Sequence, residues 1–220
     1  MDWAEIHWGI IVIVANTIMN KDDKQILVIK SDILFKDGRW QGLKTDNLDY
    51  YIDLIKKNGE FKRRGDMEID PSFKQLISYI LFKYKDKYFL YRYLKEHHEK
   101  RLMQDYIIGI GGHVDFEDAK EGEDVLIRCR DREWDEEVDY KDELLQKKLV
   151  GILNDDGRPV EAVHLALVYL FEGSTPSIFV KEKDQMIGEF YGSDELAQKA
   201  GNTGGWAPII YNEYIKKIIK

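Results

Sequence analysis

Arg132-Glu133-Trp134-Asp135-Glu136-Glu137-Val138-Asp139-Tyr140, with the glycine pair Gly111-Gly112 upstream, is the stretch on which the rest of the chain turns. Taken as a helix from Asp124 onward, it carries Val125, Cys129, Glu133 and Glu137 at four-residue steps, with Leu126 and Glu136 beside that stripe. Three- and four-residue spacings share one helix face. The stripe therefore begins apolar and ends in three carboxylates. Like charges four residues apart repel by a few tenths of a kcal/mol, and carboxylates near a helix C-terminus oppose the macrodipole. A bound dication is the simplest compensation, and hard oxygen ligands point to magnesium or manganese. The competing explanation is a charged, solvated helix face, which is what charge runs usually are. A solvated face, however, needs neither a Gly-Gly before it nor an apolar stripe that continues as acid.

The same residues resemble the Nudix hydrolase signature: Gly, five residues, Glu, seven residues, then Arg-Glu-U-x-Glu-Glu-x-Gly-U, with U bulky and apolar. Arg132 to Tyr140 matches its second half except that Asp139 stands where a glycine is expected. In that register Asp124 takes the place of the first glutamate. Gly112 then lies six residues too far upstream, which places an insertion at Asp115 to Gly122. The subgroup with Gly-Ile-Gly-Gly-His before the helix and a later Asn-Asp-Asp is the nearest likeness, here Gly109 to His113 and Asn154 to Asp156. The resemblance implies an α/β fold, a Nudix-like α/β/α sandwich with a mixed β-sheet. It spans roughly residues 71 to 220 in element order and makes residues 1 to 70 an N-terminal extension packed on the core.

It also implies chemistry. Glu133 and Glu137 would be direct metal ligands, Glu136 would belong to the same cluster, and the backbone carbonyl of Gly111 or Gly112 would contribute another ligand. Arg132 would position a carboxylate by a charge-assisted hydrogen bond, and Asp124 would supply a water-mediated contact. The general base is open among the box glutamates and Glu172, Glu182 and Glu189. The expected activity is Mg²⁺- or Mn²⁺-dependent cleavage of a diphosphate linkage in a nucleoside diphosphate derivative, a pyrophosphohydrolase reaction on a small-molecule substrate. Asp tolerates the left-handed conformation better than most residues, so Asp139 is expected to keep the glycine's turn. A non-catalytic Nudix-fold nucleotide sensor is the main rival, and an acidic interaction protein the second.

Composition bounds the rest. The chain has 220 residues, 34% of them charged and 44% apolar, enough for one domain with a substantial core or a domain with an extension. A net charge of −8 and a pI near 5.3 argue against a general nucleic-acid surface. Cys129 is the single cysteine, so neither an intrachain disulfide nor a thiolate metal cluster can form; it reads as a small buried helix residue. The run Trp8 to Ala15 is too short to span a bilayer and follows acidic rather than basic residues, so it is expected to be a buried strand in a cytoplasmic protein.

Elsewhere, runs and turn residues predict strands at 9–15, 25–30, 73–84, 88–94, 106–110, 149–154, 162–171 and 177–181. Helices are predicted at 48–58, 193–199 and 211–220, with a charged connector at 61–71. Strands 9–15 and 25–30 form a predicted hairpin that offers an edge for a homodimer. His97-His98 belong to a solvated loop, His164 is a structural strand histidine, and Gly201 to Gly205 form a flexible turn. Arg92 and Lys95 are weighed as phosphate contacts against a solvated face.

Overall fold

The computed structural model describes residues 20–94, 106–201 and 205–218. The elements run β1 (Gln25–Lys30), α1 (Ser31–Leu34), β2 (Gly42–Lys44), α2 (Leu48–Asn58), β3 (Glu60–Arg63), α3 (Arg64–Met67), β4 (Phe73–Tyr84), β5 (Lys87–Tyr93) and β6 (Gly109–Ile110). They continue as α4 (Val125–Glu137), β7 (Val138–Asp139), β8 (Leu144–Asn154), α5 (Pro159–Ala162), β9 (His164–Gly173), β10 (Phe179–Val180), β11 (Met186–Tyr191) and α6 (Ser193–Lys199). The chain ends in α7 (Ala207–Ile210), a π-helical turn over Tyr211–Ile215 and α8 (Lys216–Ile218).

One mixed sheet organises the molecule, in the order β11-β5-β4-β9-β8-β2. β4 and β9 run parallel at its centre, and β8, β5, β11 and β2 join antiparallel. Their apolar runs, buried over nearly their whole length, are what a sheet covered on both faces requires. On one face α4 and α2 deliver Leu126, Cys129, Trp134, Tyr51 and Ile55 against Ile80, Phe82, Leu167 and Phe171. On the other, α6, α7 and the π-helical turn bring Leu196, Ile210 and Ile215 against Leu81, Ala166 and Val168. Helices on both faces of a mixed sheet make the α/β/α sandwich.

The residues before 70 contribute strands to this same sheet. β1 pairs with β4 and carries β3 on its other edge, while β2 closes the far edge beside β8. β3 therefore lies within the stretch expected to be a charged connector: Phe61 and its alternating polar neighbours form an edge strand beside β1. β8 begins at Leu144, earlier than its apolar run suggests, because the polar Gln146-Lys147-Lys148 still pair with β9. The terminal helix starts earlier than expected, at Ala207, and is interrupted by the π-helical turn. The expected strand at 9–15, its hairpin and the His97–His98 loop lie outside the described residues. Among the described residues no helix is long and apolar enough to cross a membrane.

Candidate metal and phosphate site

α4 is built to carry a charged cluster on a buried seam. Asp124 caps it, its Oδ1 accepting from the Leu126 and Ile127 amides at 3.0 and 3.4 Å. Leu126, Cys129, Arg130, Glu133 and Trp134 are the buried positions, a stripe at helical spacing that ends with a carboxylate inside. Glu133 is 7% exposed. Glu137 is half-buried, and the Glu136 side chain is largely in solvent.

Gly112 is the floor against which Glu133 rests. A Cβ added there would stand 2.7 Å from Glu133 Oε1, so a larger residue would displace the carboxylate. Gly111 has φ +148°, and a Cβ on it would stand 1.9 Å from the Ser78 carbonyl oxygen. The Gly112 carbonyl accepts from the Ser78 amide at 2.9 Å, which fixes this strand end beside β4.

Arg132 knits the cluster together. Its Nε and Nη2 grip Asp118 at 2.7 and 2.8 Å, Nη1 reaches Glu133 at 2.7 Å and Glu136 at 3.0 Å, and Nη2 also donates to the His113 carbonyl at 3.0 Å. Asp118 is 1% exposed and makes this fork–fork pair at the end of the 3₁₀ turn Phe116–Asp118. Asp118 falls inside the insertion that the sequence register places at Asp115 to Gly122. Five residues separate it from Gly112, the spacing the signature itself asks for, so the six additional residues fall after the acid and not before it. Asp124, assigned that role from its distance to Arg132, is instead the helix N-cap and pairs with Lys56 at 2.6 Å.

The electrostatics follow from burial. Removal from water pushes the Glu133 carboxyl up to about 7, and Glu136 and Glu137 add to the rise while Arg132 opposes it. Glu137 is raised by its own burial, then by Glu182 and Glu136. Glu182 thus stands in the field of the helix carboxylates. The other two base candidates do not: Glu172 is paired with Lys83 at 2.8 Å, and Glu189 accepts from the Tyr191 hydroxyl. Glu182 is brought there by the loop that closes the helix, where the Lys181 amide donates to the Glu137 carbonyl at 2.8 Å and its ammonium to the Asp135 carbonyl. Carboxylate oxygens gathered at the end of a buried seam, beside a Gly-Gly strand end, suit a hard dication, so the residues present fit magnesium or manganese.

The left-handed turn expected at Asp139 does not form. Val138 leaves the helix at φ −129° and ψ 153°, and Val138–Asp139 pair directly with β10, so no glycine conformation is required. Arg92 follows Tyr91 on β5 and points to the opposite face, where its charge acts on Tyr106. Lys95 and residues 202–204 of the glycine turn lie outside the described residues.

A cavity of about 420 Å³ shares the Gly111–Gly112 wall. Tyr79, Tyr91, His113, His164 and Trp206 line it, with Gly205 at the end of the glycine turn. Tyr79 and Trp206 meet edge to face at 5.3 Å, and the Tyr91 hydroxyl donates to the Gly109 carbonyl at 2.9 Å. The charges of Glu137 and Glu133 are felt at Tyr91, so the aromatic cavity and the carboxylate helix are neighbours. Nothing in the sequence links His113 to His164, since a lone strand histidine gives no signal of the partner the fold brings to it.

A mixed sheet between helices, with an arginine-braced glutamate helix against a Gly-Gly strand end, defines the Nudix class of fold. The chain belongs to the Nudix hydrolase family. It is similar over 89% of its length, and over the whole of the other chain, to the crystal structure of Tm1382, a provisionally assigned Nudix hydrolase, at 28% identity and a TM-score of 0.77. It is also 34% identical to Protein YmaB of Bacillus subtilis, over 82% of this chain and 91% of that protein. No sequence-family model matches the chain. Nudix hydrolases generally use divalent metals.

Proposed function

We propose that the protein is a magnesium- or manganese-dependent hydrolase of a diphosphate linkage in a nucleoside diphosphate derivative. The observation that carries this reading is Glu133, a buried carboxylate pressed on the Gly112 backbone and flanked by Glu136 and Glu137. Glu133, Glu136 and Glu137, with a backbone carbonyl of Gly111 or Gly112, would hold the dication. Bound there, it neutralises phosphate charge and makes water more acidic. Arg132 fixes the orientation of Glu133 and Glu136 by direct hydrogen bonds and is itself held by Asp118.

Water attacks phosphorus, the bridging P–O bond breaks, and the water proton passes to a carboxylate. We assign that carboxylate to Glu182, because its charge acts on Glu137 whereas Glu172 and Glu189 are engaged elsewhere. The aromatic cavity would receive the nucleoside end. Tyr79, Tyr91 and Trp206 give it aromatic walls there.

The test is phosphate or nucleotide release from a panel of diphosphates with Mg²⁺ or Mn²⁺, using the wild type, Glu137→Gln and Glu182→Gln. Metal-dependent release by the wild type is expected. Glu137→Gln should abolish that metal-dependent release, and Glu182→Gln should lower kcat by about 10²–10⁴-fold, the usual contribution of a general base. Equal release by wild type and Glu137→Gln would rule the assignment out.

A further inference from the structure

We propose a second metal site, distinct from the carboxylate helix, in which Glu68, His113 and His164 bind a divalent transition ion of the zinc or cobalt type on the cavity wall. The three ligand atoms, one from each side chain, lie within 4.8 Å of one another. Strand register brings two of them together. His113 bridges to Ile77 on β4, and Gln75, two residues earlier on β4, is paired in register with His164 on β9. Glu68 follows directly on α3.

The hydrogen bonds around the two imidazoles leave a place for a Lewis acid. His164 Nδ1 lies 2.5 Å from the Val160 carbonyl, which can only accept, so the proton is on Nδ1 and Nε2 presents a lone pair. That Nε2 is 3.3 Å from His113 Nε2. His113 Nε2 also lies 2.8 Å from Gln75 Oε1, and Gln75 is held in that orientation because its amide nitrogen donates to the Met67 carbonyl at 3.1 Å. Two acceptors, Gln75 Oε1 and His164 Nε2, therefore compete for one proton on His113. A cation between the rings satisfies both nitrogens when the His113 proton moves to Nδ1.

The dimensions agree with this. Ligands about 2.0–2.1 Å from a tetrahedral zinc are about 3.3–3.4 Å apart, the separation of the two Nε2 atoms. His164 also has the outer partner that metal-bound imidazoles usually have, a backbone carbonyl on the far ring nitrogen. Glu68 Oε1 accepts from Arg64 Nε at 2.9 Å, which orients the carboxylate and leaves Oε2 for an ion. Two nitrogens and one oxygen favour zinc or cobalt over magnesium. Three protein ligands leave a fourth position open to a group in the cavity.

The proposal is independent of the hydrolase reading and is tested without substrate. Chelator-stripped protein is titrated with Co²⁺ in excess Mg²⁺, following heat and the visible absorption of tetrahedral cobalt. One equivalent with that absorption is expected for the wild type. His164→Gln and Glu68→Gln each remove a ligand and should weaken binding by at least the roughly 100-fold that losing an outer partner of a ligand can cost, while Glu133→Gln, which alters the carboxylate helix, should bind as the wild type does. Should His164→Gln fail to fold, Glu68→Gln answers the same question from a half-buried helix end. No cobalt bound by the wild type, unchanged binding by the folded variants, or loss of binding in Glu133→Gln would each overturn the site.

Discussion

Arg132 touches Asp118, Glu133, Glu136 and the His113 carbonyl, and of these Asp118 alone takes two of its hydrogen bonds. With 1% of that residue exposed, its carboxylate has no water to fall back on. Removing one partner of a buried pair leaves an uncompensated charge at a cost of about 3–5 kcal/mol. Arg132→Ala should therefore lose stability of that order in urea unfolding at neutral pH. Arg132→Lys should recover little of it, because an ammonium cannot reproduce the fork that spans both Asp118 oxygens. If Arg132→Lys unfolds like the wild type, the bracing role given to the guanidinium is wrong. At this scale the sequence was half legible. That an arginine at the head of the acidic run would hold a carboxylate could be read from its spacing to Glu136. Which buried acid it holds depended on where the inserted residues fall, and only the packing of the Phe116–Asp118 turn decides that.

The helix α4 and the strand end before it are each secured by one local feature. Asp124→Ala removes the N-cap and the Lys56 pair, and should cost about 1 kcal/mol at neutral pH. Lys56 and the Leu126 and Ile127 amides outweigh burial and hold the Asp124 carboxyl below its usual value. A depressed acid contributes stability above its unfolded value, 3.8, and loses it as pH falls through the lower folded value. The difference between Asp124→Ala and wild type should accordingly shrink in unfolding curves taken on the acid side of that window.

Gly111→Ala meets both a left-handed backbone and the Ser78 carbonyl. It should destabilise by about 1–3 kcal/mol from the backbone strain alone, with the steric conflict adding to it. Differential scanning fluorimetry showing no loss of Tm would contradict the geometry.

Elements with a clear period or flanking turn residues were readable: β1, α2, β4, α4 and α6 fall where their apolar spacing and turn residues place them. β2, β3 and β11 were not. They are short or polar edge strands whose pairing comes from the neighbour: Glu189 and Phe190 pair with Leu90 and Phe89, and nothing local in Met186 to Tyr191 announces it.

Across the whole molecule, we propose that residues up to about 70 act as an extension on a core from 71 onward, and that the Asn154-Asp155-Asp156 turn clamps the two together. The Asn154 amide donates to the Trp40 carbonyl at 2.6 Å, Gln41 reaches Asp155 at 2.6 Å, and Arg39 pairs with Asp156 at 2.9 Å. The motif that marked the subgroup in sequence is thus a structural joint. Beneath it Lys74 is fully buried, its ammonium held by Asp156 at 2.7 Å and the Ala162 carbonyl at 2.6 Å. Burial holds the Lys74 ammonium below its usual pKa despite Asp156, so desolvation outweighs what the pair returns. Breaking the pair and replacing it should then have opposite consequences. Asp156→Ala strands the cation and should cost about 3–5 kcal/mol, whereas Lys74→Met with Asp156→Ala exchanges a buried ion pair for apolar volume and should regain most of that loss. Urea unfolding of the two single variants and the double variant measures this as a coupling energy. A double variant no more stable than Asp156→Ala would mean that the cost of losing Asp156 lies in its contacts to Arg39 and Asn154, with Lys74 a passenger.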